Sequence, residues 1–156
     1  MASRVVKINT YIDKFKDHIS SNISQISTCE LFRKVDYSIT KKFQINLRPG
    51  RAAVYIEILD TVYDDYSDEI NRLYAEYTIG VYVFAHNDRS KALSTLGEEV
   101  KDDIIKHLFT QDFDLPIELP KIKKTGFLES PADQTVNHSI TYLVFTQRLN
   151  TLELKQ

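Results

Sequence analysis

The first 27 residues carry a single apolar stripe with the spacing of an α-helix. Seven residues three or four positions apart form it: Val5, Ile8, Ile12, Phe15, Ile19, Ile23 and Ile26. Because residues at these spacings share one face of a helix, the pattern predicts an amphipathic helix of about six turns. The serine and asparagine residues at 20–27 are poor helix formers, so we expect the helix to fray before Thr28.

Alternation of apolar and polar residues predicts two long strands in the middle of the chain. In residues 53–59, Val54, Ile56 and Ile58 would point to one side of the strand and Tyr55 and Glu57 to the other. Residues 73–86 alternate in the same way, and one face of this strand would carry Tyr74, Glu76, Thr78, Tyr82 and Phe84. The acidic residues 60–69 between the two strands predict a long antiparallel hairpin with a solvated tip.

A second helix and a last strand complete the pattern. His86-Asn87-Asp88 offers an N-cap, and the helix that follows has a stripe made of Leu93, Leu96, Val100, Ile104 and Leu108. Residues 110–135 hold three prolines and Gly126, which predicts a long loop. Residues 136–149 alternate again, with Ile140, Tyr142 and Val144 on one face and Leu143 and Phe145 on the other.

Residues 30–48 leave the number of strands open. Two short alternating runs could each be a strand: Val35, Tyr37 and Ile39, and then Phe43, Ile45 and Leu47. Arg48-Pro49-Gly50-Arg51 predicts a turn, because proline restricts φ and glycine tolerates a positive φ.

This order of elements predicts one α+β domain over residues 1–156. The sheet would be mostly antiparallel, with four to five strands and both helices packed on one face. The other face would carry large side chains, namely Tyr55, Tyr74, Tyr82 and Phe84. Two explanations stay open for them: a contact with another protein, or cover by residues 30–48 or by the long loop.

Composition narrows the class of protein. With 42% hydrophobic and 27% charged residues, the chain matches an average globular domain and is not collagen-like, disordered or disulfide-rich. The most apolar stretch, residues 78–85, is too short to span a bilayer. A net charge of −2 argues against a general polyanion binder. The first residues lack the apolar core of a secretory signal, so we expect synthesis in the cytoplasm.

No local motif for catalysis, metal binding or a cofactor is present in the sequence. His18, His86, His107 and His138 have no partner at helical spacing, and Cys29 has no neighbouring base. Four isolated glycines cannot form a phosphate-binding loop or a dinucleotide fingerprint. We therefore expect a protein that is not an enzyme and holds neither metal nor cofactor.

Two charged clusters have a simple explanation and a functional one. The acidic segment lacks the alternating acids and central glycine of an EF-hand. A solvated hairpin tip is the simpler explanation, and a subunit contact or the repulsive lining of a passage is the other, with the candidates Asp64, Asp65, Tyr66, Asp68 and Glu69. Residues 121–124, Lys-Ile-Lys-Lys, suit a solvated loop better than a nucleic-acid patch.

Several segments, taken in order, resemble the tail terminator proteins of long-tailed bacteriophages, of the minor tail protein U type. They are the N-terminal helix, the strand AAVYIE at 52–57, the strand RLYAEYTIGVYVF at 72–84, the helix at 87–109 and the strand SITYLVF at 139–145. In that family the second hairpin strand also alternates aromatic residues with a glutamate, and an acidic turn, an amphipathic helix and a Thr-Tyr-x-Val strand follow. The resemblance covers roughly residues 50–148 and the leading helix.

The resemblance implies a structural virion protein. Its subunits would form a hexameric ring on the head-proximal end of the tail tube after assembly in the host cytoplasm. The ring would stop tube polymerisation and present a surface to a head-completion or connector protein. DNA would pass through the lumen without specific binding, and no membrane would be involved. The aromatic face and the acidic tip would then be candidates for subunit contact or lumen lining.

Other functions remain open at this point. A head–tail connector or tail completion protein would use the same pattern at a neighbouring position in the virion. A cellular protein-binding adaptor would differ from a ring subunit in its stoichiometry. An enzyme would need a deep pocket with convergent titratable groups, and a nucleic-acid binder would show salt-dependent binding to DNA.

Overall fold

Two α-helices and five β-strands lie in the part of the chain that the structure, a computed structural model, describes: residues 5–32, 50–63, 72–86, 95–128 and 138–153. In chain order the elements are α1 (Ile8–Asn22), β1 (Ile26–Leu31), β2 (Ala52–Tyr63), β3 (Arg72–His86), α2 (Thr95–Thr110), β4 (Lys121–Leu128) and β5 (His138–Glu153). Among the described helices, none is long and apolar enough to cross a membrane.

The strands form one open sheet in the order β1-β2-β3-β5-β4. β1 runs parallel to β2, and every other neighbouring pair is antiparallel. β2 and β3 form the predicted hairpin, and β5 pairs with β3 along its whole length, from Arg72 opposite Glu153 to His86 opposite His138. The predicted α+β class and the mostly antiparallel sheet are therefore confirmed.

Both helices pack on the same face of the sheet, and the main core lies between the helices and that face. Its centre is a group of aromatic rings in which Phe15 of α1 lies 6.0 Å from Phe145 of β5 and 5.7 Å from Phe113. Ile104 and Leu108 of α2 close the same core against β3 and β5. Apolar surface removed from water in this way stabilises the domain by about 25 cal/mol for each Å² buried.

The predicted strand faces are correct where the structure describes them. Val54 and Ile56 of β2 point into the main core, whereas Tyr55 between them lies in a smaller cluster on the opposite face. In β5, Leu143 and Phe145 belong to the main core and Ile140 to the smaller cluster. Successive side chains of a strand point to opposite faces of the sheet, so the two-residue period in the sequence was enough to assign each residue to its face.

The first helix ends at Asn22, before Thr28 as predicted, and is therefore shorter than its six-turn stripe, whose last residues lie outside the helix. Ile23 caps the helix in an extended conformation, with its N–H bonded to the Ile19 carbonyl at 2.9 Å. Ile26 begins β1, where it pairs with Ala52. The side chains of Ile23 and Ile26 are both buried, which is why these residues are apolar although they lie beyond the end of the helix.

The predicted loop at 110–135 is wrong over residues 121–128, which form β4. This strand pairs with β5 at the border of the sheet, and a bulge interrupts the register between Ile122 and Lys124. Among the β4 residues whose side chains are described, Ile122 packs against the main core, while the neighbouring lysines are exposed. An edge strand needs little apolar alternation, which is why the sequence pattern missed it.

Of the remaining predictions, one concerns the turn at Gly50 and the others concern segments outside the described residues. Gly50 has a φ of +82°, as the predicted turn requires. The alternating runs within 33–49, the acidic residues 64–69 of the hairpin tip and the N-cap at 87–88 lie outside the described residues.

Candidate interaction face

The face of the sheet opposite the helices, here called the second face, is ordered in rows by the strand register. One row runs across three strands through Tyr55, Tyr82 and Tyr142 and reaches Gly126 on β4. We call these three tyrosines the tyrosine row. They are held in line because each occupies an outward position of its strand at the same height of the sheet.

Most of the predicted aromatic face is buried within the chain. Tyr55 is 5% exposed, Tyr82 is 9% exposed, and Phe84 is fully buried. Part of the cover comes from Phe32, whose ring lies 4.8 Å from that of Tyr55 in an edge-to-face arrangement. Burial of these rings is what the internal-cover explanation expects. Tyr74 differs from them, because it is only partly buried.

Two glycines provide the surfaces on which the tyrosine rings lie. A Cβ atom added to Gly80 would come within 2.9 Å of the Tyr82 ring. One added to Gly126 would come within 2.8 Å of the Tyr142 hydroxyl. The Tyr82 ring therefore leans along its own strand and the Tyr142 ring leans across to β4, each over bare glycine backbone, so that an aromatic side chain compensates for a missing one.

A buried carboxylate accompanies the tyrosine row. The Tyr82 hydroxyl donates a hydrogen bond of 3.3 Å to Glu57, which is itself 9% exposed. Burial raises the pKa of Tyr82 to about 12, and the neighbouring Glu57 carboxylate adds to the shift. The hydroxyl therefore stays protonated at physiological pH and serves as a fixed donor.

Towards the hairpin tip the second face becomes charged, and the charge differs across its width. Asp60 and Glu76 lie on β2 and β3, whereas Lys121 and Lys124 lie on β4 in register with the same region. Lys124 also lies over the Tyr142 ring at 5.8 Å. The carboxylates of β2 and β3 and the lysines of β4 give this region a lateral polarity, which Arg148 opposite Glu76 and Glu118 beside Arg148 partly offset.

Arg148 links the two sides of this charged region. Its guanidinium stacks over the Tyr74 ring at 4.1 Å and contacts the Glu118 carboxylate at 3.2 Å. Tyr74 is thus the predicted aromatic residue whose surroundings are polar and partly open to solvent. Exposed stacking of this kind is worth about 0.5–1 kcal/mol.

The structure brings together two histidines that the sequence analysis treated as isolated. His18 Nε2 lies 2.9 Å from His107 Nδ1, so that the pair joins α1 to α2. Phe113 packs against His18 with ring centres 5.2 Å apart. Burial lowers the pKa of His18, His107 lowers it further, and Asp114 opposes the shift. These residues are 89 positions apart in the chain, and no local spacing could have indicated the pair.

Within the described residues no group of three or more histidine, cysteine, aspartate or glutamate side chains is placed to hold a metal ion. The acidic candidates Asp64, Asp65, Tyr66, Asp68 and Glu69 lie outside those residues. Sequence reasoning also missed Tyr142 and Lys124 as members of the second face. Tyr142 joins this face through the pairing of β5 with β3, and Lys124 through the pairing of β4 with β5, and only the fold reveals these pairings.

No protein-family model matches the chain, and no curated protein is significantly similar to it. The described residues form an α+β domain with an open five-stranded sheet, unlike charges at its two sides and a second face on which Tyr55 and Tyr82 are buried.

Proposed function

We propose that this chain is a structural virion protein that forms a hexameric ring capping the head-proximal end of a phage tail tube. The ring would stop tube polymerisation and offer a surface for head–tail joining. Its partners would be other copies of the same chain, the tail tube protein and a head-completion or connector protein. The family resemblance of the sequence suggests this function, and one structural observation supports it.

That observation is the lateral polarity of the open sheet. A ring requires a head-to-tail contact, in which one surface of a subunit meets a different surface of the next. The basic side of the second face, with Lys121 and Lys124, suits the acidic side of a neighbour, with Asp60 and Glu76. The same opposite charges would also pair in a two-fold dimer, so the oligomeric state decides between the two arrangements.

The acidic hairpin tip has a place in the same proposal. Asp64, Asp65, Asp68 and Glu69 would line the lumen or meet the neighbouring subunit, with Tyr66 between them. Carboxylates along a lumen would repel the DNA backbone and allow it to slide without specific binding. Replacing the four acids by lysine should then impair assembly or infectivity, and unchanged assembly and infectivity would remove the tip from the proposal.

The first test is the oligomeric state, measured by native mass spectrometry over a range of protein concentration and by electron microscopy. We expect a six-fold species that is seen as a ring and that blocks elongation of tail tubes. A monomer would require the capping assay to be made on preassembled tubes, where failure to cap would refute the proposal. A discrete dimer at every concentration would favour a protein-binding adaptor instead.

Charge reversal tests the lateral contact itself. Lys121→Glu combined with Lys124→Glu should weaken assembly at least about tenfold, because like charges would then face each other across the contact. Adding Asp60→Lys and Glu76→Lys should restore it. Lys14→Glu with Lys106→Glu is the matched control, since both lysines are exposed on the helices. Equal effects of the two double reversals would exclude the proposed contact.

A further inference from the structure

A cleft on the helix-covered side of the sheet collects hydrogen-bond donors. It measures about 360 Å³ and lies between the start of α1 and the end of the hairpin. The described residues that line it are Lys7, Ile8, Asn9, Tyr63, Tyr77 and Thr151. None of these six side chains is a carboxylate, and one of them is a cation.

The first turn of α1 faces this cleft without a cap. Lys7 occupies the N-cap position, its side chain makes no capping hydrogen bond, and no acidic residue lies in the first turn. The Tyr11 N–H bonds to the Lys7 carbonyl at 3.0 Å, but the three N–H groups before it have no acceptor within the helix. These groups carry the positive end of the helix dipole.

A second observation comes from the sheet. Tyr77 is only 7% exposed, and its ring belongs to the main core, yet the side chain reaches the cleft. Among the residues that the structure describes, its hydroxyl has no hydrogen-bond partner. The hydroxyl is not one of the buried polar atoms that lack a partner, so it opens into the cleft, where it can donate to a ligand. Tyr63, which is 58% exposed, adds a second hydroxyl at the mouth of the cleft.

The donors are held in place by the end of β5. Val6 N–H bonds to the Asn150 carbonyl at 2.8 Å, and Lys7 Nζ donates to the Thr151 carbonyl at 3.2 Å. Because the ammonium has three protons, this bond leaves it able to donate to a ligand. Burial raises the pKa of Tyr77, and Tyr63 adds to the shift, so the phenol remains a donor at neutral pH.

We infer that this cleft binds an oxyanion, a carboxylate or phosphate group, between the α1 N-terminus, the Lys7 ammonium and the Tyr77 hydroxyl. Helix N-termini bind such groups through backbone N–H donors and the helix dipole. The group is either a free small anion or an acidic side chain of a second copy of the chain. The binding chemistry is the same for both, and it does not depend on the proposed ring.

The test uses the whole chain, labelled with nitrogen-15 and titrated with inorganic phosphate at constant ionic strength, with chloride as the reference anion. We expect saturable shifts of the Ile8, Asn9 and Thr10 amide signals. Tyr77→Phe keeps the ring in the core and removes only the donor. It should weaken phosphate binding about tenfold, as expected for one hydrogen bond to a charged group. Lys7→Gln should weaken binding by a similar factor.

Tyr142→Phe and Lys106→Gln are the matched controls, because they make the same chemical changes far from the cleft. Shifts that are absent, that are the same with chloride or that survive Tyr77→Phe unchanged would overturn the inference. Sedimentation velocity then identifies the source of the anion. If phosphate and Tyr77→Phe both reduce self-association, the ligand is a side chain of a second copy, and if neither does, it is a free anion.

Discussion

The two faces of the sheet are built from the same strands but bury their side chains by different means. On the helix-covered face, Phe145 meets Phe15 of α1 across an apolar layer. On the second face, Tyr82 and Tyr142 lie over glycine backbone, and the Tyr82 hydroxyl finds a carboxylate. The first arrangement holds the fold together. The second buries its rings while keeping the Tyr82 hydroxyl and the Glu57 carboxylate next to a charged surface.

The largest expected difference between the faces comes from removing one ring from each side of β5. Phe145→Ala should lower the free energy of unfolding by about 3–5 kcal/mol, because it empties a fully buried site between two layers. Tyr142→Ala should cost about 1–2 kcal/mol, since its ring is only half-buried. Urea unfolding followed by circular dichroism measures both. Equal losses would mean that the second face is as much a core as the first.

Sequence reasoning predicted the helix-covered face well, since most strand residues that point to it are apolar at a regular period, with Thr141 and Gln147 as polar exceptions. Val54, Ile79 and Phe145 could all be assigned to one side from their spacing alone. The period also placed Tyr55 and Tyr82 on the other side. What it could not show was their burial, because cover arises from segments distant in the chain, such as Phe32.

Edges and distant pairs escaped prediction for the same reason. β1 joins the sheet through parallel pairing with β2, although its residues continue the spacing of the first helix. β4 is stabilised by backbone pairing with β5 and shows little alternation of its own. The cleft at Lys7 and Tyr77 unites the start of α1 with the middle of β3. Local sequence patterns contain no information about contacts between segments that lie far apart in the chain.

A methyl group added under the tyrosine row should produce the next largest effect. Gly80→Ala would place its Cβ 2.9 Å from the nearly buried Tyr82 ring, so the ring must move. We expect a loss of about 1–3 kcal/mol in unfolding free energy, as for overpacking in a core. Gly126→Ala should cost less, because the atom in its way is the end of the half-buried Tyr142 side chain.

A double-mutant cycle separates this clash from the intrinsic effect of alanine in a strand. If Tyr82 is what resists the new Cβ, the cost of Gly80→Ala should largely disappear in a Tyr82→Ala background. A cost that stays the same in both backgrounds would show that the ring does not rest on Gly80. The same cycle with Gly126 and Tyr142 gives the comparison at the more open site.

The smallest effect concerns pH, and it also distinguishes the two sides of the molecule. The pKa of His18 is lowered from 6.5 in the folded chain, mainly by burial and then by His107. Below pH 6.5 the unfolded chain therefore binds more protons at this position than the folded one, so stability falls as the pH drops through the folded pKa. Above 6.5 the residue adds no pH dependence. His18→Asn should flatten the difference between unfolding free energies measured by urea at about pH 5.5 and pH 7.5.

Tyr82→Phe provides the contrast from the second face. Its hydroxyl has a pKa of about 12, so its removal should shift the unfolding free energy by the same amount at both pH values. If instead His18→Asn leaves the pH difference intact, protons bound elsewhere destabilise the domain, and the 2.9 Å contact with His107 has no role in it. A flattened profile would place the pH-sensitive element between α1 and α2, on the side of the sheet that holds the fold together, and away from the charged face that we propose for assembly.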